Sequence, residues 1–385
     1  MSFTGKSTFS AGAALPELAE DVSDIISIVS PFETPVLDII GDGAAHARST
    51  YHEWLEDSLL SNTDTIASTS FIDPQSDSSF NVENPSRFRV GDQIRVADNS
   101  ELMLIISIDS AQLTVTRGYG GTTAESISVG DTVYNLGGAA VEGADRPEAE
   151  YTSRIRRGNY TQIFTASVEV SGSNLAASQI GLENEMDYQK QQRIRELIRD
   201  LENTVINGGQ AQSNPHGTQS SPRTMKGIIR HISTNSYSVD DAPVPGETAD
   251  LDEEKLNFML KTIWQNSTGS VDTIIVNGTQ KRRINQLLDA SRMYGPDDLR
   301  FRNVVNYYES DFGLCRVILS RWVPADSVMF VDSSRLSVIP LAGRSFHFKP
   351  LVSGGDYEAG QVIGEYTLEM RNEEAHGILK GLSTE

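Results

Sequence analysis

The chain has little of three things: cysteine, aromatic side chains and long apolar runs. Its 385 residues include one cysteine, so no disulfide framework can form within one chain. This residue, Cys315, lies in the apolar run 314–319, which predicts a buried strand residue in a protein kept in a reducing cytoplasm. No stretch reaches the roughly 18 apolar residues that a membrane span needs, and the N-terminus lacks the apolar core of a signal peptide. These absences exclude a disulfide-stapled secreted domain and a membrane protein.

Basic residues are also scarce relative to acidic ones. The chain has 32 Lys and Arg against 53 Asp and Glu, which gives a formal net charge of -21. Such a surface repels DNA and anionic membranes, which excludes a conventional nucleic-acid-binding role. Residues 1–84 contain two basic and fourteen acidic residues, whereas basic residues cluster at 154–157, 190–199 and 281–283. Two interpretations stay open: the clusters are solvated faces, or the acidic segment of one subunit lies on a basic surface of the next.

Motifs for catalysis, metal binding and nucleotide binding are missing. His46, His52 and Glu53 are close in sequence, but no HExxH or CxxC pattern accompanies them, so ordinary loop histidines explain them. No phosphate-binding glycine loop and no GxSxG nucleophile elbow occur. We therefore predict no catalytic residue, no metal and no cofactor. A hydrolytic enzyme built on the α/β second half is an alternative that the missing motifs disfavour.

A small β module is the most informative feature that the sequence does contain. Apolar and polar residues alternate from about 87 to 137, and Gly-Asp turn signals break this run into short strands. The spacing predicts a compact barrel or sandwich, whose bounds we place at 85–140. The preceding segment, 49–84, is rich in Ser, Thr and Asp, which predicts a long functional loop.

The rest of the chain alternates between helical and strand patterns. Apolar residues recur at three- and four-residue steps from Leu182 to Val205, and the glycines at 208–209 end the pattern, which predicts a long core helix. A short helix is predicted at 17–30. The remaining predicted elements are helices at 252–265 and 279–290 and strands at 160–170, 227–232, 273–276, 316–319, 328–331, 336–340, 346–351 and 366–371. The fold class predicted from these patterns is α+β.

Five local strings occur along the chain in a characteristic order. They are Thr34-Pro35-Val36-Leu37, Ser49-Thr50-Tyr51-His52-Glu53-Trp54, Leu113-Thr114-Val115-Thr116-Arg117-Gly118-Tyr119-Gly120-Gly121-Thr122, Arg157-Gly158-Asn159-Tyr160-Thr161-Gln162-Ile163 and Val168-Glu169-Val170-Ser171-Gly172. The layout around them is an arm, a two-way excursion, a long helix, an α/β subdomain and a strand-rich return. Strings and layout together resemble the major capsid proteins of tailed bacteriophages and prophages with the Hong Kong 97 fold, over nearly the whole chain.

The resemblance implies a domain organisation. We expect an N-terminal arm at 1–47, an extended loop at 48–162 carrying the inserted all-β domain at 85–140, a peripheral domain at 163–220 and 335–385 with a spine helix at about 182–207, and an axial domain at 221–334. The inserted domain is expected to point outward near a junction between subunits.

The resemblance also implies a function. Such a protein self-assembles into the hexamers and pentamers of an icosahedral head that encloses double-stranded DNA without sequence-specific binding. The expected partners are further copies of the chain and a portal, with decoration proteins left open. A separate scaffold is expected because the chain begins with a short arm. The expected location is the virion, after synthesis in the bacterial host cytoplasm. An encapsulin-like compartment, which shares the fold, and a tail or baseplate binding module are the remaining alternatives.

Candidate inter-subunit contacts come from the aromatic residues and the basic clusters. Tyr51 and Trp54 form an aromatic pair in an arm-like segment, and a neighbouring subunit is one candidate for what buries them. The other candidates are Arg117, Tyr119, Arg154, Arg156, Arg157, Arg193, Arg195 and Arg199. We predict that the N-terminal arm and extended loop of one subunit dock on the long helix and Arg-rich strand of another.

Overall fold

A computed structural model describes most of the chain. The described residues are 34–41, 45–57, 59, 61–68, 71–73, 75–139, 142–143, 152, 154–176, 184–246, 248–291, 307–352 and 354–384. The chain forms two compact units, of which one is Leu55–Ile155 and the other combines Met1–Trp54 with Arg156–Glu385. The helix predicted at 17–30 lies outside the described residues.

Six α-helices lie in the described part of the chain. They are α1 (Pro35–Ile40), α2 (Gly172–Ala176), α3 (Glu185–Asn207), α4 (Ile228–His231), α5 (Glu253–Asn266) and α6 (Gly278–Ser291). The side chains of Asn184 and Asp252 cap α3 and α5 by accepting from backbone N–H groups of the first turn. Helices α3, α5 and α6 confirm the three long helices predicted from the sequence, although the first predicted residues of α3 lie outside the described part.

Eighteen strands lie in the same described residues. They are β1 (Tyr51–Glu56), β2 (Thr63–Thr65), β3 (Ser79–Asn81), β4 (Asp92–Val96), β5 (Met103–Asp109), β6 (Gln112–Thr116), β7 (Thr132–Gly138), β8 (Ile155–Tyr160), β9 (Gln162–Ser171), β10 (Ser236–Ser238), β11 (Thr273–Val276), β12 (Tyr307–Ser310), β13 (Gly313–Leu319), β14 (Val328–Val331), β15 (Leu336–Pro340), β16 (His347–Leu351), β17 (Tyr357–Met370) and β18 (Gly377–Lys380). Strands β1 and β8 pair with each other as a two-stranded ribbon, and the others form three sheets.

Strands β2 to β7 form a closed six-stranded barrel. Neighbours pair antiparallel in the order β2-β7-β4-β5-β6-β3. A bridge between Ile66 and Val82 then joins the two ends of this sheet. Closure leaves no long free edge at which another strand could add. The inward side chains form a single apolar core: Ile66, Phe80, Val82, Phe88, Ile94, Val96, Met103, Ile105, Leu113, Val115, Ile127 and Val133.

The barrel begins earlier than the predicted bounds of 85–140. Strands β2 and β3 come from the segment that was predicted to be a polar loop, so that prediction was wrong for these strands. Each is three residues long and buries only its central side chain, Asp64 or Phe80. Two inward residues so far apart in sequence produce no alternation that a local pattern can reveal.

A mixed six-stranded sheet separates two apolar cores of the larger unit. Its strand order is β10-β18-β14-β11-β13-β12, with β11 parallel to β13 and antiparallel to β14. Successive side chains of a strand face opposite sides. Accordingly, Ile275 joins the core that contains α3 and α4, whereas Ile274 and Val276 join the core that contains α5 and α6. Burial on both faces explains why β11 is a continuous apolar run.

A four-stranded antiparallel sheet lies under helix α3. The long strand β17 pairs with β9, β15 and β16. Leu197, Leu201 and Val205 recur at helical spacing along α3 and share a core with Phe164 and Leu368 of the sheet. The predicted spine helix therefore packs with its apolar stripe on a sheet.

Two parts of the larger unit differ from the sequence predictions. The strand predicted at 227–232 is wrong, because this segment forms α4 and its C-cap Ile232. Ile228 and Ile232 are buried four residues apart beside α3. The C-terminal strand β18 was expected with the peripheral segment 335–385. It pairs instead with β14 and β10 inside the six-stranded sheet. Pairing between strands distant in sequence overrides local propensity.

Candidate assembly surfaces

The ribbon of β1 and β8 carries two of the predicted contact arginines at its surface. Arg154 Nε lies 3.8 Å from Asp57 Oδ2 and Arg156 Nη1 lies 3.7 Å from Glu53 Oε1, with arginine side chains 71% and 69% exposed. The neighbouring Arg157 is exposed as well. Exposed pairs of this kind contribute roughly 0–1 kcal/mol. The guanidinium groups can therefore exchange these carboxylates for others at low cost.

Tyr51 and Tyr119 also lie at the surface. The Tyr51 ring stacks on Tyr160 with centroids 4.5 Å apart, and burial followed by the proximity of Tyr160 raises the pKa of Tyr51. The same ring lies over Gly158, where an added Cβ would be 2.7 Å from Tyr51 Cζ and 2.8 Å from the His52 carbonyl oxygen. Tyr51 thus combines an internal packing role with a partly open ring edge.

Trp54 does not need a neighbouring subunit to bury it. Only 9% of the residue is exposed within the single chain. Its ring lies 6.0 Å from His52 and 6.4 Å from His231, measured between centroids. Its own chain therefore supplies the burial of Trp54, and a contact of Trp54 with a neighbouring subunit stays a prediction.

Arg117 is an internal residue of the barrel. Its Nε and Nη2 atoms donate to the two carboxylate oxygens of Glu101 at 2.8 and 2.7 Å, and the Glu101 side chain is fully buried. Backbone N–H groups of Gly118 and Glu125 also donate to Glu101. Burial opposes ionisation, but these partners outweigh it and lower the pKa of Glu101. The charge of Arg117 is therefore already satisfied inside the chain, and its role as a subunit contact stays a prediction.

The basic residues of α3 are largely neutralised along the helix itself. Arg193 pairs with Glu196 at 2.6 Å, Arg199 pairs with Asp200 at 3.6 Å, and Lys190 pairs with Asp187 at 2.9 Å. The helix contains five acidic and four basic residues. Arg195 is exposed on the same helix. Helix α3 therefore presents alternating charges and not the uniformly basic surface that the cluster 190–199 suggested.

Glu202 holds the helix α1 against α3, a feature that the sequence analysis missed. Its Oε1 accepts from the backbone N–H of Val36 at 3.0 Å and its Oε2 accepts from that of Leu37 at 2.8 Å. The side chain of Thr34 does not cap α1, so Glu202 satisfies these first-turn donors instead. Burial raises the pKa of Glu202 to about 7, although the two N–H groups oppose this shift. Within one chain, this part of the N-terminal arm is bound to its own spine helix.

Two histidines near α4 and β18, the half-buried His231 and the buried His376, are kept neutral. Burial, followed by the nearby Lys226 charge, lowers the pKa of His231 to about 3, and burial lowers that of His376 to about 4. The backbone N–H of Asp332 donates to His376 Nδ1 at 3.3 Å. His231 Nε2 is buried with no hydrogen-bond partner among the described atoms. These side chains are structural groups, and their protonation at acidic pH would destabilise the folded chain.

No group of three or more His, Cys, Asp or Glu side chains in the described part of the chain is placed to hold a metal ion. No helix among those residues is long and apolar enough to cross a membrane.

The arrangement of spine helix, four-stranded sheet, mixed sheet with flanking helices and β1–β8 ribbon is a capsid fold of the Hong Kong 97 type, which confirms the predicted fold. The chain is similar to the capsid protein of a native GTA particle, with a TM-score of 0.53 and 10% identity over 99% of this chain and 100% of that one. A structure from Mycobacterium phage Bobi has a TM-score of 0.49 at 12% identity, covering 94% of this chain and 95% of that one. A holo-encapsulin complex from Synechococcus elongatus has a TM-score of 0.42 at 10% identity, covering 60% of this chain and 79% of that one.

A family model described as the SU10 major capsid protein matches residues 2–383. The chain belongs to this family. It is a structural protein of the virion that self-assembles into an icosahedral shell. No curated protein matches the chain.

Proposed function

We propose that the chain builds the hexamers and pentamers of a bacteriophage head that encloses double-stranded DNA. The observation that carries this proposal is the family match across residues 2–383. A shell built from one polypeptide needs surfaces that tolerate slightly different neighbours. Exposed, weakly paired charges such as Arg154 and Arg156 suit that need, because changing partners costs them little.

The domain roles are part of the proposal. The arm at 1–47 and the extended loop at 48–162 reach over neighbours, and 221–334 gathers around the capsomer axes. The segments 163–220 and 335–385 form the peripheral domain, except for strand β18, which pairs with strands of 221–334. The arm segment at α1 stays on its own spine helix through Glu202, so the portion that reaches a neighbour precedes it. Tyr51, Tyr119 and the exposed arginines of the ribbon and of α3 are the proposed contacts between subunits.

The remaining partners follow from the chemistry of the shell. A chain with a net charge of -21 encloses DNA without gripping it, because like charges repel. A separate scaffold guides assembly and a portal occupies one vertex, while decoration proteins stay open. Synthesis takes place in the bacterial host cytoplasm. The family match favours this function over an encapsulin-like compartment and over a hydrolytic enzyme.

Electron microscopy of the purified recombinant chain tests the proposal. We expect icosahedral shells or rings of five and six subunits, and shells formed in the absence of packaging should contain no selected DNA sequence. A small uniform oligomer at every concentration, with neither rings nor shells, would contradict assembly by the chain alone.

A charge reversal tests the ribbon contacts in the same assay. We expect Arg154→Glu with Arg156→Glu to reduce the yield of shells. The matched control is Arg282→Glu, which reverses one exposed arginine on α6. Equal shell yields for the ribbon variant, the control and the wild type would remove the ribbon arginines from the interface.

A further inference from the structure

Two β-bulges place unpaired apolar residues on the outside of the barrel. Between β4 and β7, Gln93 pairs with Gly137 and Ile94 pairs with Asn135, so Leu136 is an extra residue. Between β5 and β6, Ile105 pairs with Val115 and Ser107 with Thr114, which leaves Ile106 extra. A bulge interrupts the ladder and re-aims side chains, and bulges often mark functional positions. Both extra residues here are large apolar side chains.

These residues belong to one stretch of the barrel surface, which we call the bulge face. Strand β4 lies between β7 and β5, so Leu136 and Ile106 flank it on its two sides. Gly91 donates its N–H to the Ile105 carbonyl, which places Ile106 within a few residues of Leu136 along β4. Ile106 and Leu136 are separated by roughly 10 Å along the strands and by roughly 10 Å across them. The outward side chains of the bulge face are Gln93, Arg95, Leu104, Ile106, Tyr134 and Leu136.

The two bulge residues and a neighbouring valine are apolar and exposed. Ile106 is 54% exposed and Leu136 is 52% exposed, and Val90, just before β4, is 63% exposed. Single exposed apolar residues are common on soluble proteins. A group of them on both sides of one strand, two of which are presented by interruptions of the ladder, is typical of an interaction site.

The bulge face also differs in charge from the unit that carries it. The unit Leu55–Ile155 contains 16 acidic and 6 basic residues, a net charge of -10. None of the six outward side chains is a carboxylate. Its one charge is Arg95, whose guanidinium carbon lies 5.8 Å from the centroid of the Tyr134 ring. The complementary partner is therefore a surface with apolar residues and carboxylates.

We propose that the bulge face docks on an acidic surface of a second copy of this chain. The inference rests on the proposed shell function, which surrounds every copy with identical neighbours. Each neighbour carries a net charge of -21, so carboxylates are abundant on the available partner, and an acid-free face is the part of the barrel that can approach them. Burial of Ile106 and Leu136 supplies the apolar part of the association.

The first test introduces a charge at the bulge face of the full chain. Ile106→Asp and Leu136→Asp should each raise the concentration needed for half-maximal shell assembly by about tenfold, because each buries an unpaired carboxylate against an acidic partner. Val129→Asp is the matched control, since Val129 is 50% exposed on the same unit outside the bulge face. Arg95→Glu should weaken assembly and Arg95→Lys should largely preserve it.

The outcomes separate this inference from the function on which it rests. Thermal melts of the unassembled chain should show unchanged folding for all variants, because the substituted side chains are exposed. Assembly of Ile106→Asp and Leu136→Asp that matches Val129→Asp would overturn the docking proposal while leaving the shell function intact. A failure of wild type and control to assemble even when the scaffold is supplied would overturn both proposals.

A crosslinking experiment keeps the proposal testable even if a variant misfolds. A photoreactive amino acid replaces Ile106 in one preparation and Val129 in another, and assembled particles are irradiated. We expect chain-to-chain crosslinks from position 106, mapped by mass spectrometry to peptides that contain Asp or Glu. Crosslinks from position 106 only to another virion protein, or none at all, would overturn docking between copies.

Discussion

Glu202 acts as a helix cap supplied from a distant part of the sequence. It lies 166 and 165 residues from the two N–H groups that it accepts from. A cap normally comes from the residue just before the helix, and here Thr34 does not provide it. The first turn of α1 therefore depends on the spine helix, so the two helices are coupled through one carboxylate.

We predict that Glu202→Ala lowers the free energy of unfolding by about 1–3 kcal/mol for each N–H left unsatisfied. Glu202→Gln keeps one acceptor and should cost less. The pKa of Glu202 is about 7 in the folded chain against 4.5 for the ordinary group, so its contribution to stability is complete below 4.5 and is lost as the pH rises through 7. Denaturant titrations at pH 5 and pH 8 should show a greater loss for wild type than for Glu202→Gln. Equal losses would contradict this assignment.

Arg117 and Glu101 form the second residue-scale dependency, inside the barrel. Glu101 is fully buried, and four donors surround its carboxylate. Removing one partner of a buried pair leaves an uncompensated charge, so we predict that Arg117→Ala costs about 3–5 kcal/mol. Hydrogen exchange of the β5 and β6 amides in the full chain measures this cost. The charge-removing pair Arg117→Met with Glu101→Leu is the control, and it should recover only the part of the loss that comes from the uncompensated charge, because the N–H groups of Gly118 and Glu125 lose their acceptor.

At the scale of elements, the β1–β8 ribbon depends on a glycine. Any side chain at Gly158 would meet the Tyr51 ring and the His52 carbonyl oxygen at under 3 Å. The carbonyl belongs to the backbone, so it cannot move aside without separating the strands. The ribbon strands and the Tyr51 ring therefore fit closely only when position 158 has no Cβ.

We predict that Gly158→Ala increases hydrogen exchange of the β1 and β8 amides by at least about tenfold, which corresponds to about 1.4 kcal/mol. Gly209→Ala is the matched control, because an added Cβ there has no atom within 4 Å. The control should leave exchange in the ribbon unchanged. Unaltered exchange in Gly158→Ala would show that the strands can shift without cost.

Elements also differ in how well the sequence predicted them. Helix α3 was predicted because its apolar residues recur along one face over 23 residues. Helix α4 was predicted to be a strand because its four residues offer too little periodicity to distinguish the two. Strands β2 and β3 were missed for the same reason, since each contributes one inward side chain to the barrel.

At the scale of the whole molecule, buried histidines set a limit on acid stability. In the unfolded chain both side chains have an ordinary pKa near 6.5, whereas the folded chain holds them at about 3 and about 4. Between pH 6.5 and 4, the two histidines therefore bind protons in the unfolded state and stay largely neutral in the folded state. These two groups leave the free energy of unfolding unchanged above pH 6.5, and they lower it as the pH falls below 6.5.

We predict that the free energy of unfolding falls by roughly 1.4 kcal/mol per pH unit for each histidine in this window. His231→Phe should remove the contribution of one histidine to the dependence of the unfolding free energy on pH. The variant should be tolerated at pH 7, because His231 Nε2 has no hydrogen-bond partner among the described atoms. Denaturant titrations of both proteins between pH 4 and 7 measure the slopes. His216→Phe is the control for a histidine on an exposed loop segment outside the helices and sheets, and it should leave the slope unchanged. Parallel slopes for wild type and His231→Phe would rule out this origin.

The sequence by itself determined the capsid fold, the barrel around 87–137, the long helices and the acidic net charge. These properties depend on local periodicity, on composition or on a resemblance spread over the chain, all of which can be read without coordinates. Only the tertiary structure decided which candidate contacts are internal. Trp54 is buried in its own chain, Arg117 pairs with Glu101 there, and Glu202 binds a helix more than 160 residues away. The physical reason is that burial and pairing between distant residues are properties of the packed molecule, which local patterns do not encode.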